Sequence, residues 1–447
     1  MRHPSGPVKA RTCVCIPLPW REPLSAFAPL STAPYALLLG PGYDHEKNGR
    51  WSIILAHPDE VFERSGPEAL SALPPLPPIE NAPPLPFVGG YAGLASYELG
   101  AALDRVPRHG NGPWPDLAFG YYACAALFDH HTRSLWVVGP DKASANRFAE
   151  QLTEAPLPPL RPKEETAINF QLSRAQCMDQ VQEVIGLIHA GDIFQANISQ
   201  GFHIDLGQHQ DAYSYYRRLC AQSPAPYGAF FRRTANQVLI SNSPEQFFSL
   251  DEHGVVQTSP IKGTRPRAKD PQADQALAQE LLASPKDRSE NLMIVDLMRN
   301  DLSRVCKAGS VKVSKHCALQ SFANVHHLVS TVEGQLDHGK TAIDVLAACF
   351  PAGSITGAPK IRAMEIIARM EGTARGPYCG SLGYISSHGR AEFNVLIRSA
   401  EHTQDQDGNH LRFRTGGGIV ADSDPAMEAQ EMLDKARALA RAAGATL

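Results

Sequence analysis

The chain has 447 residues, a formal net charge of -4 and 43% hydrophobic residues, which is enough apolar material for a large core and no basic excess for nucleic acid or an anionic membrane surface. Nine cysteines are scattered without CxxC spacing, so no zinc site is expected and the expected compartment is a reducing cytosol. The opening MRHPSGPVKARTCVCIPLPW is broken by prolines and charges before any apolar run reaches signal-peptide length, and no later run reaches a membrane span.

The first elements in chain order are short apolar runs at 35–39, 51–55 and 135–138, with a proline-rich stretch at 73–86 that resists helix and strand. A second proline-rich stretch at 155–163 divides the chain into regions 1–155 and 165–447. Apolar residues at Met178, Val181, Val184, Ile185 and Ile188 predict an amphipathic helix over 173–190, closed by Gly191. Strands are expected at 193–203, 237–241 and 254–258, then a helix over 287–302. The last elements are strands at 379–386, 393–399 and 411–415 and a helix over 425–443. Adjacent strands with long helices predict an α/β (α+β) protein built on antiparallel sheet, not a doubly wound fold.

Within TSPIKGTRPR, at 258–267, a single lysine, Lys262, is held between proline and glycine. A lysine amine attacks an unsaturated carbon only when unprotonated, so burial or nearby cations must lower its pKa from about 10.4. Arg265 and Arg267 lie close enough in sequence to supply that field. Taken alone, such a lysine is usually a solvated cation in a basic turn.

Two sets of acids follow. In KDRSENLMIVDLMRND, Asp287 and Glu290 share a helix face, with Leu292, Ile294, Val295 and Leu297 supplying apolar surface around it. PAMEAQEMLDKA repeats the spacing with Glu428 and Glu431, and Lys435 follows one turn on. Two such helices suit one hard cation, since Mg²⁺ prefers oxygen ligands, keeps several waters and takes one or two protein carboxylates. Either pair alone is ordinary on a solvated helix face. GSITGAPK, at 353–360, is not a phosphate loop, because Ala358 and Pro359 stand between Gly357 and Lys360 and no Ser or Thr follows. TGGGIV, at 415–420, is expected to end a strand and let backbone N–H groups approach an anionic oxygen.

Together with SPEQFF at 243, VHHLVSTVEG at 325, YCGSLGY at 378 and NVLIRSA at 394, these segments resemble the chorismate-utilising enzymes in order from about residue 192 to the end. The first 150 residues match more weakly, through YALLLGPGY and FVGGYAGLASYELG. The resemblance implies the anthranilate synthase component I-like fold, two antiparallel sheets packed as a sandwich with helices outside, and a chorismate-binding catalytic region at 165–447. It implies Mg²⁺ held by Glu290 and Glu431 with Asp287 and Glu428 nearby. Tyr378, Arg398, Gly416 and Lys435 match positions that contact substrate carboxylates, while Thr356 and His327 match pocket-lining positions, His327 near the C4 hydroxyl.

Anthranilate synthases resemble this chain but usually carry alanine at the position of Lys262, whereas the members that aminate chorismate at C4 carry PIKGT. The resemblance therefore implies C4 amination, with Lys262 adding to C2 and Glu245 acting as general acid. Gln195 occupies the position of a lysine thought to activate water in isochorismate-forming relatives, and a neutral amide is a poor base. No glutaminase signature of the GxCxGHQ kind is present, so ammonia is expected from a glutamine amidotransferase subunit, and conversion to 4-aminobenzoate from another enzyme. Relatives often bind tryptophan between the sheets. Here Pro41 replaces the usual serine, and Pro226, Tyr227 and Gly228 match the pocket's other side.

Overall fold

The structure is a computed structural model that describes residues 11–41, 49–110, 112–153, 157, 160, 166–207, 210–321 and 325–447. A twelve-stranded and a ten-stranded sheet, both antiparallel, form its frame. They face one another across an apolar layer where Leu37, Ile53 and Phe231 of the larger sheet meet Leu94, Ala118 and Leu382 of the smaller. Strands buried on both faces read as continuous apolar runs, and this is why ALLL at Ala36–Leu39 shows no alternation. Each such side chain taken from water contributes about 1.5–3 kcal/mol.

Helices cover the outer faces. Phe148, Tyr215 and Leu439 pack on Ile54, Phe230 and Ile240 of the larger sheet, while Ile294, Met298 and Leu346 pack on Phe119 and Val332 of the smaller. Among the described residues no helix is long and apolar enough to cross a membrane. All nine cysteines carry free thiols.

Most of the segment 155–165 lies outside the described residues. Both sheets draw strands from either side of it. Ala36–Leu39 pairs with Tyr227–Thr234 in the larger sheet, and Gly90–Ala95 with Ser381–Ser386 in the smaller.

The helix predicted over 173–190 is Arg174–His189, started by a capping box between Ser173 and Gln176. The last helix is Pro425–Ala443, with Asp424 capping two backbone N–H groups and Gly444 closing it. Two expectations fail in ways that shape the site. The strand expected at 393–399 is broken into Ala391–Asn394 and Ser399–Asp405, because Arg398 adopts φ +51 and turns the chain. The strand expected to stop at Thr415 runs on as Gly408–Ile419, so all three glycines lie inside it.

Candidate active site

Lys262 sits on the strand Ile261–Pro266, paired with Val325–Gln335 through a bulge between Ile261 and Thr264. Gly263 makes the bulge possible. It holds φ +80, and a Cβ there would stand 2.9 Å from the Asp287 carboxyl carbon. The bulge leaves the Lys262 ammonium half-buried, with Nζ 3.4 Å from the Ser354 carbonyl oxygen. Burial lowers its pKa, Glu290 and Glu245 oppose that shift, and Lys435 adds to it.

The field expected from Arg265 and Arg267 is not there. Arg265 pairs with Glu280 at 2.8 Å and Asp287 at 3.2 Å, and Arg267 pairs with Asp274 at 2.8 Å. The cation that bears on Lys262 comes instead from the last helix, an arrangement that no local sequence window contains.

Glu245 is 5% exposed. Burial pushes its pKa up to about 7, against a hydrogen bond from the Ser354 side chain and the attraction of Lys262. A carboxyl that holds its proton near neutrality beside an amine whose pKa is lowered is the combination that suits general-acid and nucleophilic catalysis. Ser354 touches both residues, and sequence reasoning missed it. The only signal was its place in GSITGAPK, which yields nothing as a phosphate loop.

Gln195 opens the strand Gln195–Gly207 and is fully buried, with neither its amide oxygen nor its amide nitrogen hydrogen-bonded. An unpaired primary amide in the interior costs about 1–3 kcal/mol per orphaned group, the sign of a place prepared for a ligand. Opposite lies the glycine strand. A Cβ at Gly418 would stand 3.1 Å from Gln195 Nε2 and 3.3 Å from Lys262 Nζ, and one at Gly417 would stand 2.9 Å from Glu428 Oε2. These glycines keep open the space between the amine, the amide and the acids.

Gly416 lies opposite Ser199. Its carbonyl oxygen accepts a hydrogen bond from Lys435 Nζ at 2.8 Å, while the Ser199 N–H turns away to Glu371. In an antiparallel strand a residue's N–H and C=O share a side, so the Gly416 N–H also faces the outer edge. The neighbouring strand Ser399–Asp405 pairs only as far as Phe413, because the chain turns at Arg398. The edge past Phe413 therefore offers unpaired backbone groups, and the Arg398 charge acts on His327. Arg398 has no carboxylate partner among the described residues, and burial lowers its pKa.

His327 lies across from Thr264, whose Oγ1 is 2.8 Å from His327 Nδ1. Burial and the Arg398 charge push its pKa down to about 4, so the ring is neutral at physiological pH. Thr356 is fully buried and its hydroxyl donates to the Ala352 carbonyl. Tyr378 is buried beneath the Arg375 guanidinium, 5.6 Å from the ring centre.

The acids of the helix Pro285–Ser303 and of the last helix are close enough to feel one another. Burial raises the Glu290 pKa, with Lys262 opposing and Glu428 among the charges that raise it further. Burial also raises Glu428, whose Oε1 accepts from Ser423 at 2.7 Å. Burial works against ionisation of Glu431, but Lys435 at 2.7 Å outweighs it and the net shift is downward. Asp287 is taken up by Arg265. Leu292, expected to pack, is 51% exposed. Among the described residues these acids do not close a set of three donors, the one such set lying elsewhere. They suit a cation held by one or two carboxylates and completed by water, and the mutual repulsion of Glu290 and Glu428 is what such a cation would relieve.

The second expected pocket is a cavity of about 280 Å³ between the sheets, lined by Gly40, Pro226, Tyr227, Gly228, Tyr384 and Glu392. Pro41 lies against Gly49, which also lines it.

Residues 43–441 match the family described as chorismate binding enzyme. Over 94% of its length the chain is 38% identical to aminodeoxychorismate synthase component 1 of Klebsiella aerogenes, covering 96% of that protein. It is 37% identical, over 94% of its length and 95% of the relative's, to anthranilate synthase component 1 of Thermus thermophilus. The crystal structure of anthranilate synthase component I from Streptococcus pneumoniae superposes with a TM-score of 0.76 at 29% identity, covering 88% of this chain and 93% of that one.

Proposed function

The chain belongs to the chorismate-binding enzyme family, and from that premise we propose that it is component 1 of an aminodeoxychorismate synthase, which converts chorismate and ammonia to 4-amino-4-deoxychorismate on the route to 4-aminobenzoate and folate. The observation that carries this reading is a desolvated Lys262 facing a Glu245 carboxyl that keeps its proton up to about pH 7.

In the proposed reaction Lys262 Nζ forms a bond to ring carbon C2 of chorismate, the ring double bonds shift, and the C4–O bond breaks. The Glu245 carboxyl gives its proton to the departing hydroxyl, which leaves as water. Ammonia then bonds to C4, the double bonds shift back and the Lys262 amine is released. The enolpyruvyl group stays on the ring. Neutral His327 borders the C4 hydroxyl, and Arg398 with the Gly416 edge receives a substrate carboxylate. Gln195 gives the cavity an uncharged amide that does not deprotonate water.

Glu290 and Glu431 would hold Mg²⁺, with Glu428 and Asp287 beside them. Bound there, the ion would pair with the ring carboxylate and draw electron density from the ring. Ammonia would come from a glutamine amidotransferase subunit. The Cys379 thiol is no substitute, being fully buried with its pKa pushed up to about 11 by burial. The second cavity offers the Glu392 carboxyl for an ammonium and the Tyr384 ring for an aromatic side chain, which keeps tryptophan as its proposed occupant.

The test is to incubate the purified chain with chorismate, Mg²⁺ and ammonium at mildly alkaline pH and identify products by mass, with and without aminodeoxychorismate lyase. Lyase-dependent 4-aminobenzoate is expected, and Lys262→Ala should abolish it. Anthranilate with pyruvate would overturn the assignment.

A further inference from the structure

A second set of metal-ligating side chains lies at the opposite end of the strand that begins at Gln195. His203 and Asp205 are two residues apart on Gln195–Gly207 and so project from one face. Asp205 is directly opposite His410 of Gly408–Ile419. The interleaved residues Phe202 and Ile204 are buried in the core, which leaves the histidines and the aspartate on the outer side. At about 3.3 Å per residue the group is on the order of 30 Å from Gln195, outside the site described above.

One donor atom from each of His203, Asp205 and His410 lies within 4.8 Å of the other two. Asp205 Oδ1 is 2.7 Å from His410 Nδ1 and 3.1 Å from His203 Nε2. Ligands of a tetrahedral ion with bonds near 2.0 Å stand about 3.3 Å apart, so these side chains need only small adjustments to close on one. The Asp205 and Asp405 carboxylates hold the His410 pKa above its ordinary value, so a metal would bind there by displacing a proton. Two further features suit a metal. His203 Nε2 is shielded from solvent yet makes no hydrogen bond of acceptable geometry. The far nitrogen of His410, Nε2, meets Asp405 Oδ1 at 3.1 Å, the carboxylate support that fixes the tautomer and orientation of a metal-bound imidazole.

We propose that His203 Nε2, Asp205 Oδ1 and His410 Nδ1 form a binding site for a divalent transition metal of the zinc class, with Asp405 as the positioning residue behind His410 and water in the remaining position. Imidazole donors select Zn²⁺, Ni²⁺ or Cu²⁺ over Mg²⁺, so the site does not compete for the ion assigned to the acids. The metal ties together the ends of three strands, Gln195–Gly207, Ser399–Asp405 and Gly408–Ile419, at the rim of the larger sheet.

The experiment is a titration of the full chain with Zn²⁺ in excess Mg²⁺ by calorimetry, with bound metal counted after dialysis. The wild type is expected to hold one equivalent more than the His203→Ala/His410→Ala double variant, and Asp405→Asn to weaken that equivalent roughly 10- to 100-fold. Co²⁺ substituted at the site should give the absorption bands of a four-coordinate ion, absent in the double variant. Equal zinc stoichiometry and affinity in wild type and double variant would overturn the proposal, as would the absence of zinc uptake at low micromolar free metal. An Asp405→Asn variant of unchanged affinity would overturn the positioning role.

Discussion

Replacing Glu245 with glutamine should make the protein more stable and less active at the same time. The carboxyl is 5% exposed and burial raises its pKa to about 7 from an ordinary 4.5. A raised folded-state pKa means that the folded protein binds the proton more tightly than the unfolded chain. Its stabilising contribution is full below pH 4.5 and is lost as pH rises through 7. The difference of about 2.5 units corresponds to about 3 kcal/mol, the cost of ionising the group in place. Glutamine keeps the shape and never ionises. Urea denaturation of the ligand-free protein should therefore show Glu245→Gln and wild type nearly equal at pH 4.5, and the variant ahead by about 3 kcal/mol at pH 8.5. Turnover should fall roughly 10²- to 10⁴-fold through loss of the proton donor. A stability difference that stays constant from pH 4.5 to 8.5 would refute the argument, because it would mean that the carboxyl is not held protonated by burial.

Arg398→Lys keeps the charge but loses the planar pair of donors, and should lower kcat/KM for chorismate roughly 10- to 100-fold, mostly through KM, in steady-state assays. Gly418→Val would thrust carbon atoms into a gap where even a Cβ stands 3.3 Å from Lys262 Nζ. Turnover should drop roughly 100-fold with little change in the urea midpoint, and a variant of normal turnover would show that the gap is not used. Glu290→Gln should raise the Mg²⁺ concentration needed for half-maximal activity, whereas Asp287→Asn, whose carboxylate is engaged by Arg265, should raise it less. Mg²⁺ titrations of the two variants measure this directly.

Local signals made much of the fold legible. Ser173 with Gln176, and Pro425 after Asp424, are caps whose chemistry is complete within a few residues, so those helices start where expected. The break at Arg398 was not legible, since the apolar run around it looks like one strand and its left-handed backbone depends on two sheets diverging there. The same holds for the run through Gly416 to Gly418. Glycines suggest an ending, but continuous pairing to Ala196–Ser199 carries the strand on.

The site divides in the same way. Sequence determined which reactive groups the protein owns, a lysine amine, a lone glutamate in SPEQFF, two spaced pairs of acids and an arginine, because side-chain chemistry and helical spacing are local properties. It misjudged what surrounds them. Only the packed sheets decided that Lys435 and not Arg265 or Arg267 bears on Lys262, that Ser354 touches both Lys262 and Glu245, and that Gln195 is left with an unpaired amide beside a glycine strand. Desolvation and charge pairing are set by which distant segments the sheet register brings into contact. Those contacts lower the pKa of an ordinary lysine and raise that of an ordinary glutamate, the shifts that the proposed roles of nucleophile and acid require.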